Sequence, residues 1–450
     1  MSSLLMDAAR RAIRYLESLD ERPVAPRAAG IAALERLDEP LPAGPTDPEE
    51  TLALLDECVS PATMAMAGPR FFGFVIGGSL PVALAANWLA GAWDQNAALA
   101  AAVPGVARLE EIALRWLVEL FGLPPQTGGG FVTGATVANF TALAAARNGV
   151  FARAGWNVEA DGLFGAPPIT VVTGEEAHPT LLKSLGMLGL GRSRVVRVPT
   201  DDQGRMRADA LPPISGPTIL CLQAGNINTG AFDPFEEIVD RARAAGAWVH
   251  VDGAFGLWAA ASPRLAHLTR GLERADSWAT DAHKWLNVPY DCGIALVRDP
   301  HTLRAAMAIT AEYLPTAVPE RNPCDFTPEL SRRARGVEVW AALRSLGRAG
   351  VAGLIERNCR QARRFAQGLA AAGFEILNDV VLNQVLVAFG DAERTRRVIA
   401  ALQEEGTCWC GGTVWHGRTA MRISVCSWAT TDDDVERSLE AMLRVAARTR

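Results

Sequence analysis

The amino-acid sequence predicts an α/β fold, in which a wound sheet of mostly parallel strands is followed by a separate, smaller α+β module. Two observations support this prediction. From about residue 128, short apolar or β-branched runs alternate with helical stretches, as is typical of such sheets. Beyond a proline-rich stretch at Thr316–Pro328, which predicts an exposed and mobile loop, long helices precede a second group of short strands.

The N-terminal part of the chain is predicted to be helical. Residues Leu4–Leu19 mix apolar and charged side chains at helical spacing, which indicates an amphipathic helix rather than a secretory signal. The stretch Phe71–Trp93 carries no charge over a length that could span a bilayer, but Gly77, Gly78 and Pro81 interrupt it. We therefore expect no membrane span, but a buried helix that begins near Pro81 at a subunit or domain interface.

The remaining elements follow in chain order. The strands predicted for the large domain are Gly130–Thr133, Ile169–Val172, Arg194–Val198, Thr218–Leu222, Trp248–Val251, Ser277–Thr280 and Gly293–Val297. The helices predicted between them include Val137–Arg147, Thr180–Leu188 and Pro234–Ala245. The elements predicted for the C-terminal module are helices Ala334–Leu346, Leu354–Ala372, Ala392–Glu405 and Asp432–Ala447, and strands Phe374–Leu377, Val380–Phe389 and Met421–Cys426. Functional loops are expected at the carboxyl ends of the parallel strands.

Composition narrows the possible functions. The 450 residues carry a net charge of -6, and 42 of the 44 basic residues are arginines, with Lys183 and Lys284 as the two lysines. Scattered arginines argue against a nucleic-acid surface, so we expect a small-molecule substrate. Eight cysteines without a CxxC pair indicate reduced thiols and a cytoplasmic protein. Only Cys408 and Cys410 with His416 resemble metal ligands, and a structural role is favoured for them.

Lys284 follows a predicted strand and is flanked by His283 and Trp285. A lysine at such a place is usually a solvated surface residue. Arginine occupies almost every other basic position of this chain, and it stays protonated at neutral pH, whereas lysine can condense with a carbonyl group. Lys284 is therefore a candidate for attachment to a carbonyl cofactor or substrate.

Asp252 ends the next candidate motif, His250-Val-Asp252-Gly-Ala254, at the end of another predicted strand. It could simply cap the following turn. Alternatively, its carboxylate could pair with the protonated nitrogen of a pyridine ring and so keep that ring an electron sink. The position of Asp252 one strand before Lys284 favours the second interpretation.

Two further motifs follow strands. The small-residue turn Thr133-Gly-Ala135-Thr136 precedes a helix and offers amides and hydroxyls to a phosphate group, although such turns are common. It lacks the lysine of a nucleotide-binding P-loop. His178, after the strand Ile169–Val172, could stack on a planar ring or could be structural.

Together these motifs resemble those of the group II pyridoxal-phosphate-dependent amino acid decarboxylases, relatives of the aromatic-L-amino-acid and glutamate decarboxylases. The resemblance covers most of the chain, and its most specific parts are His283-Lys284-Trp285 and His250-Val-Asp252. It implies the aspartate-aminotransferase-like fold, known as fold type I, and a homodimer. The implied domains are an N-terminal segment that wraps the partner subunit, a large domain that binds pyridoxal phosphate and a small C-terminal α+β domain. These domains comprise residues 1–77, 78–335 and 336–450.

The resemblance also implies roles for individual residues. The implied catalytic residues are Lys284, which forms the aldimine, His178, which stacks on the ring, and Asp252, which pairs with the pyridine nitrogen. The other implied cofactor contacts are Ala135, Thr136 and His283 at the phosphate, Ala254 against the ring, and Asn226 or Asn228 at the phenolic oxygen, where much of the family has paired threonines. The candidate substrate residues are Phe71, Phe72, Asn96 and Arg422, of which Arg422 could bind the substrate carboxylate or could be a surface arginine.

The implied reaction is decarboxylation of an L-amino acid to an amine and carbon dioxide. Asn96 and Ala98 replace bulky apolar residues of the aromatic enzymes, which favours a polar or extended substrate side chain. Asp281 replaces the asparagine of some relatives; we expect it outside the phosphate site, where it could orient His283. Three alternatives stay open: an aldehyde synthase that couples decarboxylation to oxidative deamination, a carbon–carbon lyase and a non-catalytic dimeric homologue. The aldehyde synthase is suggested by the absence of tyrosine from Thr316–Glu329, where Phe326 is the only aromatic residue.

Overall fold

The computed structural model describes residues 1–309 and 321–449, and the chain divides into two compact units. The sheet unit comprises Ser79–Arg360 and Asn378–Gln384. The terminal unit comprises Met1–Gly78, Gln361–Leu377 and Val385–Arg450. This division differs from the predicted one, because the boundary expected after residue 335 lies within the sheet unit and the N-terminal residues share a unit with the C-terminal ones.

The helices of the described residues are α1 Ser2–Glu17, α2 Ala28–Ala33, α3 Pro48–Val59, α4 Pro81–Trp93, α5 Pro104–Leu120, α6 Ala135–Arg153, α7 Val158–Asp161, α8 Pro179–Met187, α9 Phe235–Ala244, α10 Pro300–Met307, α11 Gly336–Ala371, α12 Ala392–Glu405 and α13 Asp432–Arg448. Their starts follow local chemistry. A proline with its fixed φ begins α4, α5 and α8, and the side chains of Thr431 and Asp434 form a capping box at α13.

The strands of the sheet unit are β1 Gly128–Val132, β2 Thr170–Gly174, β3 Val196–Val198, β4 Thr218–Gln223, β5 Trp248–Asp252, β6 Ser277–Asp281 and β7 Gly293–Val297. They form one sheet in the order β1-β7-β6-β5-β4-β2-β3. Strand β7 pairs antiparallel with both of its neighbours, and the other pairs are parallel. All seven predicted strands are present, because most are buried on both faces and appear in the sequence as continuous apolar runs.

The strand pair β6–β7 encloses a short segment. Asp281 is the last residue of β6 and stands opposite Gly293, the first residue of β7. The backbone N–H groups of Ala282 and His283 both donate to the carbonyl oxygen of Cys292, at 3.0 and 3.2 Å, so the pairing continues beyond the strands. The segment from Ala282 to Cys292, which contains Lys284, is thus tied to the sheet at both ends.

Helix α6 packs on this sheet through an alanine face. Ala138, Ala142, Ala145 and Ala146 are fully buried, and such small side chains let the helix axis come close to the strands. Gly149 on the same helix accommodates Trp248, since a Cβ atom there would lie 2.8 Å from the indole ring. The N-terminus of α6 is held close to the carboxyl ends of the strands in this way.

The terminal unit contains a four-stranded sheet in the order β10-β11-β9-β8. Its strands are β8 Glu375–Ile376, β9 Gln384–Ala388, β10 Gly411–Trp415 and β11 Arg418–Ser424. Strand β10 was missed by the sequence prediction, because it begins with two glycines and buries only its last residue, Trp415. The observed β9 is also shorter than the predicted Val380–Phe389.

Helix α11 consists of two helical segments joined at a kink, in agreement with the two predicted helices. The kink is at Gly347, whose φ is 59°, directly after Leu346, where the first predicted helix ends; the second segment begins before the predicted Leu354. Glycine adopts this left-handed conformation without steric cost, so the chain can kink there and resume the helix.

Helix α4 begins at Pro81 as predicted. In the single chain only Ala83 and Ala90 of it are buried, and its burial at a subunit interface stays a prediction. The expected exposed loop, by contrast, needs correction. Of the expected mobile loop Thr316–Pro328, residues 316–320 lie outside the described part of the chain, and the rest is not exposed as expected. A 3₁₀ turn at Pro323–Phe326 is largely buried, and Phe326 packs into the core beside α6.

Within the residues described, no helix combines the length and apolar character needed to cross a lipid bilayer.

Candidate active site

A cavity of about 210 Å³ lies at the carboxyl edge of the seven-stranded sheet. Every lining residue follows or ends one of five parallel-oriented strands, where loops of wound α/β sheets form binding sites. The lining residues are Gly134, Ala135 and Thr136 after β1, His178 and Thr180 after β2, Gln223, Gly225 and Ile227 at β4, Asp252, Ala254 and Phe255 at β5, and Asp281, His283 and Lys284 at β6.

Lys284 enters this cavity paired with Asp281. Lys284 Nζ lies 2.9 Å from Asp281 Oδ2, and the two side chains are 18% and 3% exposed. The other carboxylate oxygen, Asp281 Oδ1, accepts a hydrogen bond from the backbone N–H of Ala135 at 2.6 Å. Asp281 therefore lies inside the cavity, between the lysine and the N-terminus of α6. Its expected position away from the phosphate-type turn is wrong, because the closeness of β1 and β6 could not be inferred from composition.

His283 is oriented by its neighbours. Its Nδ1 accepts the backbone N–H of Cys292 at 3.1 Å, so the neutral ring carries its proton on Nε2. That Nε2 lies 3.6 Å from Asp281 Oδ1, beyond hydrogen-bond distance, and the orientation of His283 by Asp281 stays a prediction. Burial lowers the pKa of His283, which favours the neutral ring, and the ring of Tyr290 stacks on it at 4.2 Å.

Asp252 is the buried carboxylate of the site, with 4% of its surface exposed. Burial raises its pKa, and the nearby charges of His178 and Lys284 oppose that rise. The backbone N–H of Ala254 donates to Asp252 Oδ1 at 3.3 Å. The surrounding polar groups therefore counteract the effect of burial, which on its own favours the neutral carboxyl group.

His178 is the N-cap residue of α8 and is half-buried. Its Nδ1 lies 2.7 Å from Thr180 Oγ1 and accepts the backbone N–H of Thr180 at 3.3 Å. Because Nδ1 acts as an acceptor, the proton of the neutral ring is on Nε2. Two bonds to one residue fix the plane of the imidazole at the cavity wall.

Glycine backbones make the narrow end of the cavity possible. A Cβ atom at Gly134 would lie 3.4 Å from His283 Cε1. A Cβ atom at Gly293 would lie 2.5 Å from the backbone of Gly134, which no side chain tolerates. The start of β7 can therefore approach the start of α6 this closely only with glycine at position 293.

The structure brings together many of the predicted site residues but not all of them. Lys284, Asp252, His178, His283, Ala254, Ala135 and Thr136 all line the cavity. Asn226 does not: its Oδ1 accepts the backbone N–H of Asn228, and its Nδ2 donates to Gln223 Oε1 at 3.2 Å. Neither Asn226 nor Asn228 is a lining residue. Gln223 and Ile227 occupy that part of the wall instead.

The predicted substrate residues lie elsewhere in the chain. Phe71 and Phe72 belong to the terminal unit, are 1% exposed, and pack on Trp409 and Phe365 with ring centroids 5.1 Å apart. Asn96 lines a separate groove of the sheet unit and accepts the backbone N–H of Arg332 at 2.8 Å.

Arg422 lies in β11 of the terminal unit, opposite Gly411 in the strand pair. It is half-buried, and burial lowers the pKa of its guanidinium. Among the described residues no carboxylate forms an ion pair with it, so a partly desolvated cation is present without a counter-ion from that part of the chain.

Several lining residues were missed from the sequence. Gln223 stands opposite Asp252 in the parallel pair β4–β5, and that register places both side chains at the same edge. The register was the available signal, since polar residues that end neighbouring parallel strands meet. Ile227 and Phe255 carry no such signal, because an apolar residue in a loop does not distinguish a cavity wall from the core.

The donor set of the cavity fits a planar aldehyde cofactor that carries a pyridine nitrogen and a phosphate arm. It offers one amine, one buried carboxylate, one fixed imidazole and a helix N-terminus beside a second imidazole. Behind the carboxylate, the Asn139 Nδ2 atom is buried without a hydrogen-bond partner of standard geometry among the described residues, and Asn139 lowers the pKa of Asp252. Fold and site thus define an enzyme of the type that uses a carbonyl cofactor.

Comparison with known proteins specifies this class. A sequence model described as "Pyridoxal-dependent decarboxylase conserved domain" matches residues 33–390, and the chain belongs to this family. It is 28% identical to tryptophan decarboxylase 1 of Oryza sativa subsp. japonica, over 95% of this chain and 90% of that protein. It is 31% identical to L-2,4-diaminobutyrate decarboxylase of Rhizobium meliloti (strain 1021), over 80% of this chain and 72% of that protein.

Among solved structures, that of Oryza sativa TDC with PLP and tryptamine superimposes with a TM-score of 0.91 at 24% identity, covering 99% of this chain and 97% of that one. The predicted fold class, the aspartate-aminotransferase-like fold type I, is confirmed. The protein is an enzyme of the carboxy-lyase type, its cofactor is pyridoxal 5'-phosphate, and its family decarboxylates amino acids.

Proposed function

We propose that this enzyme converts an L-amino acid to its amine and carbon dioxide with pyridoxal phosphate attached to Lys284. The observation that carries the proposal is the position of Lys284, one of two lysines in the chain, in a cavity that also holds the buried carboxylate of Asp252. The other lysine, Lys183, is exposed on α8.

The cofactor, when bound, supplies a pyridinium ring that accepts the electron pair of the bond broken at the α-carbon. Lys284 would hold it through the side-chain amine, and Asp252 would face the ring nitrogen. Ala135, Thr136 and His283 would hold the phosphate, where Asp281 has to yield the N–H of Ala135 or share it. The contact between Asp281 and Lys284 offers the lysine a carboxylate to which it can pass a proton.

His178 and Ala254 would lie against the two faces of the ring. The two bonds from Thr180 fix the imidazole of His178, so its position does not depend on the substrate. A wall held in place before the substrate arrives lowers the entropic cost of orienting the bond that breaks.

The substrate carboxylate is proposed to bind Arg422, which could form a bidentate pair with it. The half-buried guanidinium has no ion pair among the described residues, so a carboxylate from the substrate would provide its counter-ion. Phe71, Phe72 and Asn96 are retained as proposed substrate residues. A polar or extended substrate side chain is favoured, and the 31% identity to a diaminobutyrate decarboxylase supports that class.

A homodimer and a cytoplasmic location are also proposed, as is wrapping of the partner by residues 1–77. Trp88, Leu89 and Trp93 of α4 are 44%, 54% and 46% exposed in the single chain, a set of apolar side chains that a second copy would cover. All eight cysteines are buried and free of disulfides, which supports a reducing compartment. A monomer in sedimentation velocity at micromolar concentration would contradict the dimer.

The reaction is tested by measuring carbon dioxide release from a panel of L-amino acids, with oxygen uptake recorded in parallel. We expect carbon dioxide and an amine, with no oxygen consumption. Oxygen uptake with ammonia and peroxide would instead identify an aldehyde synthase. The burial of Phe326 in the core does not favour that alternative.

Lys284→Arg and Lys183→Arg form a matched pair of variants. We expect Lys284→Arg to lose turnover by a factor on the order of 10³ or more, because arginine cannot attach to the aldehyde. Lys183→Arg should match the wild type, and borohydride should link the cofactor to Lys284 alone. Turnover retained by Lys284→Arg would overturn the proposal.

A further inference from the structure

Strand β5 carries polar side chains at every second position although it is buried throughout. Its sequence is Trp248-Val-His250-Val-Asp252, and the side chains of its first, third and fifth residues lie on one face of the sheet, because strand side chains alternate. Burial of polar groups costs free energy unless they are paired, so such a row needs an explanation. The proposed function uses only Asp252 from it.

Hydrogen bonds connect Trp248 to His250 through Ser277 and continue from His250 to Asn139. Trp248 Nε1 donates to Ser277 Oγ at 2.8 Å, and Ser277 Oγ lies 2.9 Å from His250 Nδ1. His250 Nε2 lies 2.8 Å from Asn139 Oδ1, on helix α6. Asn139 Nδ2 is buried without a hydrogen-bond partner of standard geometry among the described residues, and the side chain of Asn139 lowers the pKa of Asp252.

The two ends of this series fix its direction. In the proposed function Asp252 is ionised, and an ionised carboxylate only accepts hydrogen bonds, so the amide of Asn139 presents its NH₂ group to Asp252 and its oxygen to His250. That oxygen requires a proton on His250 Nε2, which leaves Nδ1 to accept the hydroxyl proton of Ser277. The indole of Trp248 only donates, and it fills a lone pair on Ser277.

We infer that Trp248, Ser277, His250 and Asn139 form a one-way chain of hydrogen bonds that directs the buried, unpartnered Asn139 Nδ2 group at Asp252 and so keeps this carboxylate an ionised acceptor facing the cofactor. This inference rests on the role of Asp252 in the proposed function. Asn139 and His250 are positioning residues, since neither lines the cavity. Helix α6 thereby serves the site twice, with its first turn at the proposed phosphate position and its second turn at Asp252.

Burial is consistent with this chain. His250, Ser277 and Asn139 are all 0% exposed, and burial lowers the pKa of His250 to about 3. A ring that stays neutral at physiological pH keeps one tautomer, and a single tautomer gives each hydrogen bond of the chain a fixed donor and a fixed acceptor. A protonated ring would also direct a second N–H at Ser277, which would then have to turn its hydroxyl proton away.

Cofactor affinity provides the first test. Apoenzyme variants are titrated with pyridoxal phosphate, and the dissociation constant is measured by ultrafiltration. We expect Asn139→Leu to raise the dissociation constant about tenfold, the loss of one hydrogen bond to a charged group. Thr141→Val is the matched control, because Thr141 is equally buried on α6 and its hydroxyl donates to the carbonyl oxygen of Val137 on the same helix; it should stay within twofold of the wild type.

Nitrogen NMR of the histidine rings provides a test that does not involve the cofactor. The chain has six histidines, so the ring signals can be assigned with single variants. We expect His250 to show a protonated Nε2 and an unprotonated Nδ1 from about pH 8 to 5, and Ser277→Ala to mix the tautomers. A protonated Nδ1 in the wild type, or a ring that titrates like an exposed histidine, would overturn the inference.

Asp252→Asn separates the two proposals. If it weakens cofactor binding while Asn139→Leu does not, the hydrogen-bonded chain is wrong and the proposed role of Asp252 stands. If Asp252→Asn leaves the affinity unchanged, the proposed role of Asp252 fails and the inference fails with it. Each variant is first shown to unfold cooperatively in urea, so that a misfolded protein is not counted as a result.

Discussion

The seven-stranded sheet and the four-stranded sheet differ in where they place polar side chains. In the first, His250 and Asp252 lie within a strand that is buried along its whole length. In the second, Arg418 of β11 pairs with Glu375 of β8 at 2.5 Å while both remain about half exposed. Buried polar groups are costly and are kept where they serve a purpose, whereas exposed pairs contribute little. The location of buried polar groups is therefore a guide to function in this molecule.

The buried carboxylate of Glu110 gives the sharpest test of that comparison. It lies 3.1 Å from Arg332, whose side chain is fully buried, and 3.3 Å from Arg321. Glu110→Gln leaves these cations without their counter-ion, so we expect the free energy of unfolding to fall by about 3–5 kcal/mol. Urea unfolding at fixed cofactor concentration measures it. A loss of less than about 1 kcal/mol would show that the burial of this charge matters little.

The pH dependence of stability sharpens the comparison further. Burial lowers the pKa of His250 to about 3. At a pH below the ordinary pKa of histidine, the unfolded chain therefore binds a proton at His250 that the native chain does not bind. Stability should therefore fall as the pH drops through about 6.5, with the component from His250 reaching about 2 kcal/mol near pH 5. The difference between wild type and His250→Gln isolates this component. Parallel pH profiles for the two proteins would contradict it.

The smallest effect is expected at the exposed pair of the four-stranded sheet. Arg418→Ala removes the partner of Glu375, and both side chains are open to water. We expect the midpoint of urea unfolding to stay within experimental error of the wild type, because solvent screens such pairs. A clear decrease would mean that this sheet depends on its surface charges, contrary to the contrast drawn above.

The extent to which the sequence predicted the fold follows from burial. Strand β5 was predictable because it is buried on both faces, and its polar residues still stood out within an apolar run. Strand β10 was not, because glycines and exposed positions leave no periodic pattern. The division of α11 into two helices was predictable, since the first one ends at Leu346, directly before the kink at Gly347. The start of the second one was placed too late, because glycines near residue 350 resemble a longer connection.

Residues of the candidate site were predicted where the residue type itself indicates chemistry. They were missed where only the register of neighbouring strands indicates that a side chain reaches the cavity. Lys284, His178 and Asp252 each end or follow a strand and have few ordinary reasons to be there. Asn226 was expected in the cavity, but its side chain forms hydrogen bonds with Asn228 and Gln223 within the turn. Gln223 lines the cavity instead. No periodicity distinguishes these outcomes, since they depend on which side chain of a tight loop turns inward.

The pairing of β6 with β7 has a consequence for how the lysine segment can change. Asp281 and Gly293 are direct neighbours in the antiparallel ladder, so the residues from Ala282 to Cys292 leave and re-enter the sheet at adjacent points. The sheet therefore holds the two ends of this segment close together. Residues within the segment could be substituted to support another reaction without moving a strand, while the sheet would still fix the backbone position from which Lys284 extends.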